Sequence, residues 1–347
     1  MSTAPIIEIS GLEKRFLLQR SWSDLIRRPF ASDVRVALSG IDLTVQRGEC
    51  FGVLGQNGAG KSTLFKILAT LVLPDRGVAR VGGFDVTRHP EEVRRILIPV
   101  IPAERSLYWR VSAEENLRLY AELYGIHGAE ARRRIGEVLE LVGLEDAGRK
   151  QVGLFSSGMK QRLLIGRALL GRPEVLLLDE PTRSLDPISA RELRSFLRRQ
   201  LRDVRGTTIL LATHDHEEVT ELCDRVAVLD SGSLLAVGHT EELLSSSRAR
   251  ICSLWTTDGA HPALEACISA CGGRLLGVEP ITLGDGSCWD RVRIEVHTDE
   301  AGAAELLERL VRTGISVSRF TRDDLSLADL LERVRSAKMD RRETLVA

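Results

Sequence analysis

The nine residues GQNGAGKST at 55–63 bring glycines, a lysine and two hydroxyl side chains into one short loop, a set suited to gripping a chain of phosphates. Gly55, Gly58 and Gly60, with Asn57 in the same curl, let backbone N–H groups converge on phosphate oxygens. The following helix start adds partial positive charge. Lys61 would reach the β- and γ-phosphates, the Ser62 hydroxyl would ligate Mg²⁺, and Thr63 would support an α- or β-phosphate contact. Read alone, the loop is also compatible with a tight strand-to-helix turn that happens to carry a lysine.

A phosphate grip becomes a hydrolytic site only with a magnesium anchor and a group that activates water. VLLLDEP at 175–181 supplies two carboxylates at the end of an apolar run. Asp179 would hold Mg²⁺ through water, and Glu180 would orient or deprotonate the attacking water. The alternative is an acidic strand end before Pro181. His214, in LLATHDH, follows another apolar run and could donate to the γ-phosphate as a neutral imidazole; an ordinary loop histidine is the other reading. His216 reads as solvent-facing.

These residues need strands that end side by side. ECFGVLG, EVLLLDEP, TTILLATHD and DRVAVLDSG are short apolar runs bounded by polar or turn residues, as buried strands of an α/β domain should be. KSTLFKILATLV is helical, and a more polar helical stretch at about 112–170 interrupts the core as a helical subdomain. At Thr240–Ser247 the pattern changes to TEELLSSSR, which predicts a domain boundary. Beyond it come strands near 251–257, 274–283, 291–297 and 315–320 and helices near 261–272 and 301–313. That order predicts a small α+β sandwich of the split βαβ, ferredoxin-like type. Leu327, Leu330, Leu331 and Val334 place a last helix near 326–337.

The run FSSGMKQRLLIGRALLGRPEVLLLDEPTRSLDP at 155–187, taken with the loop at 55–63 and His214, resembles the nucleotide-binding subunits of ATP-binding cassette (ABC) transporters over about residues 5–240. The resemblance implies a phosphate-loop NTPase (RecA-like) core with helical and antiparallel β subdomains, the helical one at about 104–170. It implies ATP and Mg²⁺ as ligands, and a head-to-tail pair in which each ATP is clamped between one copy's phosphate loop and the other's signature serine. Carried over, Ser157 and Gly158 contact the γ-phosphate in trans, Asp186 of SLD communicates across the pair, and Phe16 stacks on adenine. The other reading of Phe16 is an ordinary core aromatic at a strand end. The signature departs from LSGGQ at Phe155, Ser157 and Met159. Alanine stands at 103, about where the family places a glutamine that touches Mg²⁺, with Glu104 adjacent.

By the same resemblance the recipient of the work is a separate polytopic membrane permease. Adjacent Tyr108 and Trp109 suit a docking surface or simple packing. The insert at 17–36, with Trp22, Leu25, Ile26, Phe30 and several arginines, fits a short amphipathic helix on a membrane, a partner or the domain itself. Domain 241–347 is similar to the accessory module of exporter-type subunits, so export is the expected direction. A cassette acting on ribosomes or DNA is the alternative.

Composition narrows these options. Lys+Arg of 48 against Asp+Glu of 49, a net charge of −1, leaves no global footprint for nucleic acid. RELRSFLRRQLRDVR at 191–205 reads as a helix burying Leu193, Phe196, Leu197, Leu201 and Val204 under a solvated arginine face. No run approaches the roughly 18 apolar residues that span a bilayer, and MSTAPIIEISGLEKRF lacks the basic-then-apolar pattern of a signal. The expected place is the cytoplasm, at the inner face of the membrane through the permease. The six cysteines, Cys50, Cys223, Cys252, Cys267, Cys271 and Cys288, read as buried free thiols.

Overall fold

A computed structural model describes residues 4–17, 34–100, 107–245, 250–257, 262–282, 288–296 and 300–323. The expectations for the insert helix, for Ala103 and Glu104, and for a last helix near 326–337 lie outside the described residues. The chain forms two compact units, the second beginning at Glu241.

The first unit starts with β1 (Ile7–Leu17) and β2 (Val34–Val45), antiparallel and in a register that sets Phe16 opposite Arg35. Next come β3 (Cys50–Leu54), α1 (Lys61–Leu68), β4 (Arg76–Val81), β5 (Phe84–Asp85), α2 (Pro90–Ile96) and β6 (Leu97–Val100). Three helices follow: α3 (Ala113–Leu123), α4 (Gly128–Leu141) and α5 (Ser157–Leu169). The chain then returns through β7 (Val175–Asp179), α6 (Pro187–Phe196), β8 (Thr208–Thr213), α7 (His216–Leu222), β9 (Arg225–Asp230) and β10 (Ser233–His239).

Two sheets result. A four-stranded antiparallel sheet has the order β2-β1-β4-β5, and a six-stranded sheet has the order β10-β9-β3-β8-β7-β6. In the larger sheet β6, β7, β8, β3 and β9 are parallel, and β10 closes the edge antiparallel to β9. Strands covered on both faces read as unbroken apolar runs, and every residue of β3 and of β8 is buried. One core joins the two sheets: Ile7, Ile9, Leu38 and Ile41 pack with Phe51, Val53, Phe65, Ile67, Leu177 and Leu210. Because β3, β8 and β7 are consecutive parallel neighbours, the loops leaving their carboxyl ends lie together. That is where open α/β sheets place ligands.

The helical segment is anchored by Ser112. Its hydroxyl accepts from Glu115 N–H while the Glu115 carboxylate accepts from Ser112 N–H, a reciprocal cap on α3. After α6 the chain continues into a π-helical stretch, Leu197–Val204. Leu193, Leu197 and Leu201 are buried as expected, but Val204 is 74% exposed. The wider π turn rotates less per residue, shifts the phase of the stripe and carries Val204 off it. Arg194 is also buried, paired with Glu221 rather than solvated.

After α8 (Thr240–Ser245), the second unit runs β11 (Arg250–Thr256), α9 (Pro262–Ala270), β12 (Gly273–Thr282), β13 (Cys288–Val296), α10 (Glu300–Arg312) and β14 (Arg319–Asp323). The sheet order β12-β13-β11-β14, antiparallel throughout, is the split βαβ arrangement expected from sequence. Cys252, Leu254, Leu264, Ile268, Val292, Ile294, Leu306 and Leu310 form its core. Five cysteines are buried free thiols, but Cys288 is exposed. It begins β13 opposite Thr282, the last residue of β12, at the end of the described ladder.

Candidate active site

The turn from β3 into α1 is possible only with glycine at its crowded points. A Cβ on Gly55 would lie 2.4 Å from the Leu229 carbonyl oxygen. Gly60 has φ +108° and would push a Cβ to 2.5 Å from the Ala37 carbonyl oxygen. With both stripped of side chains, the backbone passes directly over β2 and β9 and delivers Lys61 as the first residue of the helix.

Lys61 is only 5% exposed. Its Nζ donates to the carbonyls of Gly55 (2.6 Å) and Gln56 (3.2 Å) and stands 4.0 Å from Glu180 Oε1. Burial pulls its pKa down, and the charges of Glu180 and Asp179 oppose that fall. Ser62 Oγ donates to Asp179 Oδ2 at 3.0 Å. Burial raises the Asp179 pKa, while the Ser62 hydrogen bond and Lys61 pull it down and Glu180 pushes it further up.

Glu180 is held in a left-handed backbone conformation, φ 47°, that a side-chain-bearing residue adopts at a cost. Its N–H donates to the Ala212 carbonyl (2.8 Å), which ties the end of β7 to β8. Its carboxylate is caught from both sides: Oε1 lies 3.0 Å from His214 Nδ1, and Oε2 lies 3.2 Å from an Arg183 Nη.

These groups share one cleft of about 720 Å³, lined by Phe16, Asn57, Gly58, Gly60, Lys61, Ser62, Thr63, Asp179 and Glu180. Gly55 joins through its bond to Lys61 and His214 through its contact with Glu180. Phe16 is 38% exposed at the cleft's edge with Lys14 Nζ 5.3 Å from its ring centroid. It is therefore not a core aromatic. Arg35, Ala37 and Arg183 also line the cleft with no site role assigned from sequence, and Ser184 lines it from the SLD motif. Arg35 enters the cleft through its register with Phe16, information held only in the strand pairing.

Ser157, Gly158 and Asp186 do not line this cleft. They meet elsewhere, at the starts of two helices. Ser156 caps α5, its Oγ accepting from Met159 N–H, so Ser157 and Gly158 are the first helical residues, with Ser157 exposed. Asp186 caps α6 by accepting from the N–H groups of Ile188 (3.1 Å) and Ser189 (3.0 Å). Bonds to Ser189 and to these backbone groups hold its carboxyl below the usual range. A Cβ on Gly158 would sit 3.1 Å from Ser189, so the two helix starts touch. One chain thus carries a cleft and, apart from it, a second polar cluster.

The cleft fits a nucleoside triphosphate with Mg²⁺. A buried ammonium faces the glycine loop, and a hydroxyl–carboxylate pair offers the hard oxygens that Mg²⁺ selects. The half-buried Asp179 carboxylate would regain in a cation part of what it lost in solvation.

Comparison with known proteins agrees with that chemistry. Residues 38–183 match the family described as ABC transporter. The chain is 38% identical over 309 residues to the daunorubicin/doxorubicin resistance ATP-binding protein DrrA of Streptomyces peucetius, covering 89% of this chain and 90% of that one. It is 37% identical to the Nod factor export ATP-binding protein I of Burkholderia thailandensis, covering 76% of this chain and 79% of the relative. Among solved structures, cbiO1 from Clostridium perfringens, part of the ABC transporter complex cbiONQ, superposes with a TM-score of 0.59 at 28% identity, over 70% of this chain and 91% of that one.

Proposed function

This chain belongs to the ATP-binding proteins of ABC transporters, and we propose how its own residues carry out the work. It binds and hydrolyses ATP as a transporter subunit. The observation that carries the residue-level reading is the Glu180 carboxylate, placed 3.0 Å from His214 Nδ1 and 4.0 Å from Lys61 Nζ in the phosphate cleft.

In this reading Gly55, Asn57, Gly58 and Gly60 shape the loop whose N–H groups cradle the phosphates. Lys61 swings from its carbonyl partners to the β- and γ-phosphates, and Thr63 supports the chain nearer the ribose. Phe16 stacks on adenine. Ser62 and Asp179 would hold Mg²⁺, which when bound would neutralise phosphate charge. Glu180 orients the attacking water and draws its proton, and His214 fixes Glu180 by donating from Nδ1 to one carboxylate oxygen.

The separation of Ser157, Gly158 and Asp186 from the cleft supports a head-to-tail pair of copies. One copy's helix start would then close the other's nucleotide. Tyr108 and Trp109 are 55% and 52% exposed at the entry to the helical segment and suit docking of a separate membrane permease. Among the described residues no helix is long and apolar enough to cross a membrane. The subunit would work on the membrane's cytoplasmic face through that partner. The Nod factor export relative supports outward transport. No relative compared above is named for ribosomes or DNA, so that alternative is not favoured.

Phosphate release and size-exclusion of Glu180→Gln with Mg·ATP test the reading. The expected result is hydrolysis reduced at least about a hundredfold, with nucleotide still bound and a dimer accumulating. Wild-type turnover in the variant, or a chain that stays monomeric with nucleotide bound, would overturn the corresponding part.

A further inference from the structure

Behind the catalytic carboxylate lies a second, smaller cavity of about 260 Å³, between the loop after β7 and the loop after β8. Glu180, Thr182, Ser184, Thr213, His214 and Glu218 line it. Glu218, on α7, is 0% exposed, and neither of its oxygens has a hydrogen-bond partner of good geometry. A buried carboxylate in that condition is costly and calls for a reason.

Its surroundings supply one. The hydroxyls of Thr213 and Thr182 lie near enough to offset part of the cost of burial without satisfying either oxygen. Thr182 follows Glu180 by two residues, and Thr213 immediately precedes His214. Thr213 also reaches the phosphate loop, since its carbonyl accepts from the Gly55 N–H at 3.2 Å. Glu218 therefore stands behind every loop that positions the reacting groups.

The charges facing it favour a neutral carboxyl. Asp215 and, through α7's end, the Cys223 thiol crowd it with negative or acidic groups, and Glu180 lines the same cavity. Arg183 lines the cavity but pairs with Glu180, and Arg194 approaches from α6 but pairs with Glu221. His214 is committed to Glu180. Burial, the largest influence, raises the Glu218 pKa to about 7.

We propose that Glu218 is a positioning residue whose neutral carboxyl bridges Thr182 and Thr213, holding Glu180 and His214 in register for ATP hydrolysis. As the neutral acid it donates one O–H and accepts on its other oxygen, joining the two loops. As an anion it can only accept, so the bridge loses its O–H donor, and it repels Asp215 beside His214. This rests on the hydrolytic role given above to Glu180 and His214.

The test is the rate of ATP hydrolysis by the full chain at saturating Mg·ATP, from about pH 6 to about pH 9, for wild type, Glu218→Gln and Glu218→Ala. Wild type is expected to lose turnover as pH rises through about 7, with KM for ATP moving less than about twofold. Glu218→Gln, permanently neutral and of the same shape, should lack that step. Glu218→Ala should turn over about tenfold more slowly at every pH, because no bridge remains. A merely structural Glu218 would change thermal stability and leave the shape of the profile alone. Superimposable wild-type and Glu218→Gln profiles, an effect confined to KM, or a Glu218→Gln chain that does not fold would each overturn the proposal. Wild type inert at every pH would overturn the hydrolytic reading and this one with it; turnover with an unchanged profile overturns this one alone.

Discussion

His214 Nδ1 sits 3.0 Å from Glu180 Oε1, so the last residue before the β7 loop turns and the first after β8 act as one unit. β7 and β8 are parallel neighbours paired Asp179 to Ala212, so Glu180, one residue past that pair, and His214, two past it, leave adjacent strand ends. His214→Ala should lower turnover by about a hundredfold or more and leave Mg·ATP affinity within about threefold. Single-turnover phosphate release alongside equilibrium nucleotide binding checks both halves.

Phe16 presents an exposed ring at the cleft edge. If it stacks on adenine, Phe16→Ala should raise KM for ATP about tenfold with kcat little changed, and Phe16→Tyr should restore binding. Equal KM values in all three proteins would return Phe16 to an ordinary strand-end aromatic.

Ser157 tests the second cluster. An aspartate there would meet the γ-phosphate of a partner copy with like charge. Ser157→Asp, introduced with Glu180→Gln, should abolish Mg·ATP-dependent dimerisation while each copy binds nucleotide within about threefold of the parent. Light scattering with and without Mg·ATP reads the outcome.

Stability should fall with pH in a definite window. Glu218 titrates near 7 in the folded chain against 4.5 for an unperturbed glutamate. Between these values the native state keeps a proton that the unfolded chain has released, so stability declines as pH rises and the full penalty is present above about 7. Glu218→Gln should therefore gain relative to wild type on going from pH 5 to pH 8.5, by at most about 3 kcal/mol from the linkage relation. Denaturant melts at the two pH values measure it.

Much of this site is legible in the chain because its chemistry is local. GQNGAGKST carries its own loop geometry, and VLLLDE and LLATHD announce buried strands whose next residue must emerge at an edge. The ferredoxin-like order of the second unit follows from alternation and spacing alone. What stays hidden depends on pairing or on departures from regular geometry. Arg35 reaches the cleft only through its register with Phe16. Val204 leaves its stripe only because the helix widens to π geometry. Glu218 looks like one more acidic residue in DHEEVTEL, since no periodicity shows that α7 turns that side chain toward a small cavity between two loops.

That Ser157, Gly158 and Asp186 do not line the cleft of their own chain has a genetic corollary in the proposed pair. A copy with a damaged glycine loop would still lend its intact helix start to a healthy neighbour. Co-expressing defective and normal alleles should therefore give mixed assemblies with one working compartment of two, and the inheritance pattern would reveal whether a transport cycle needs both.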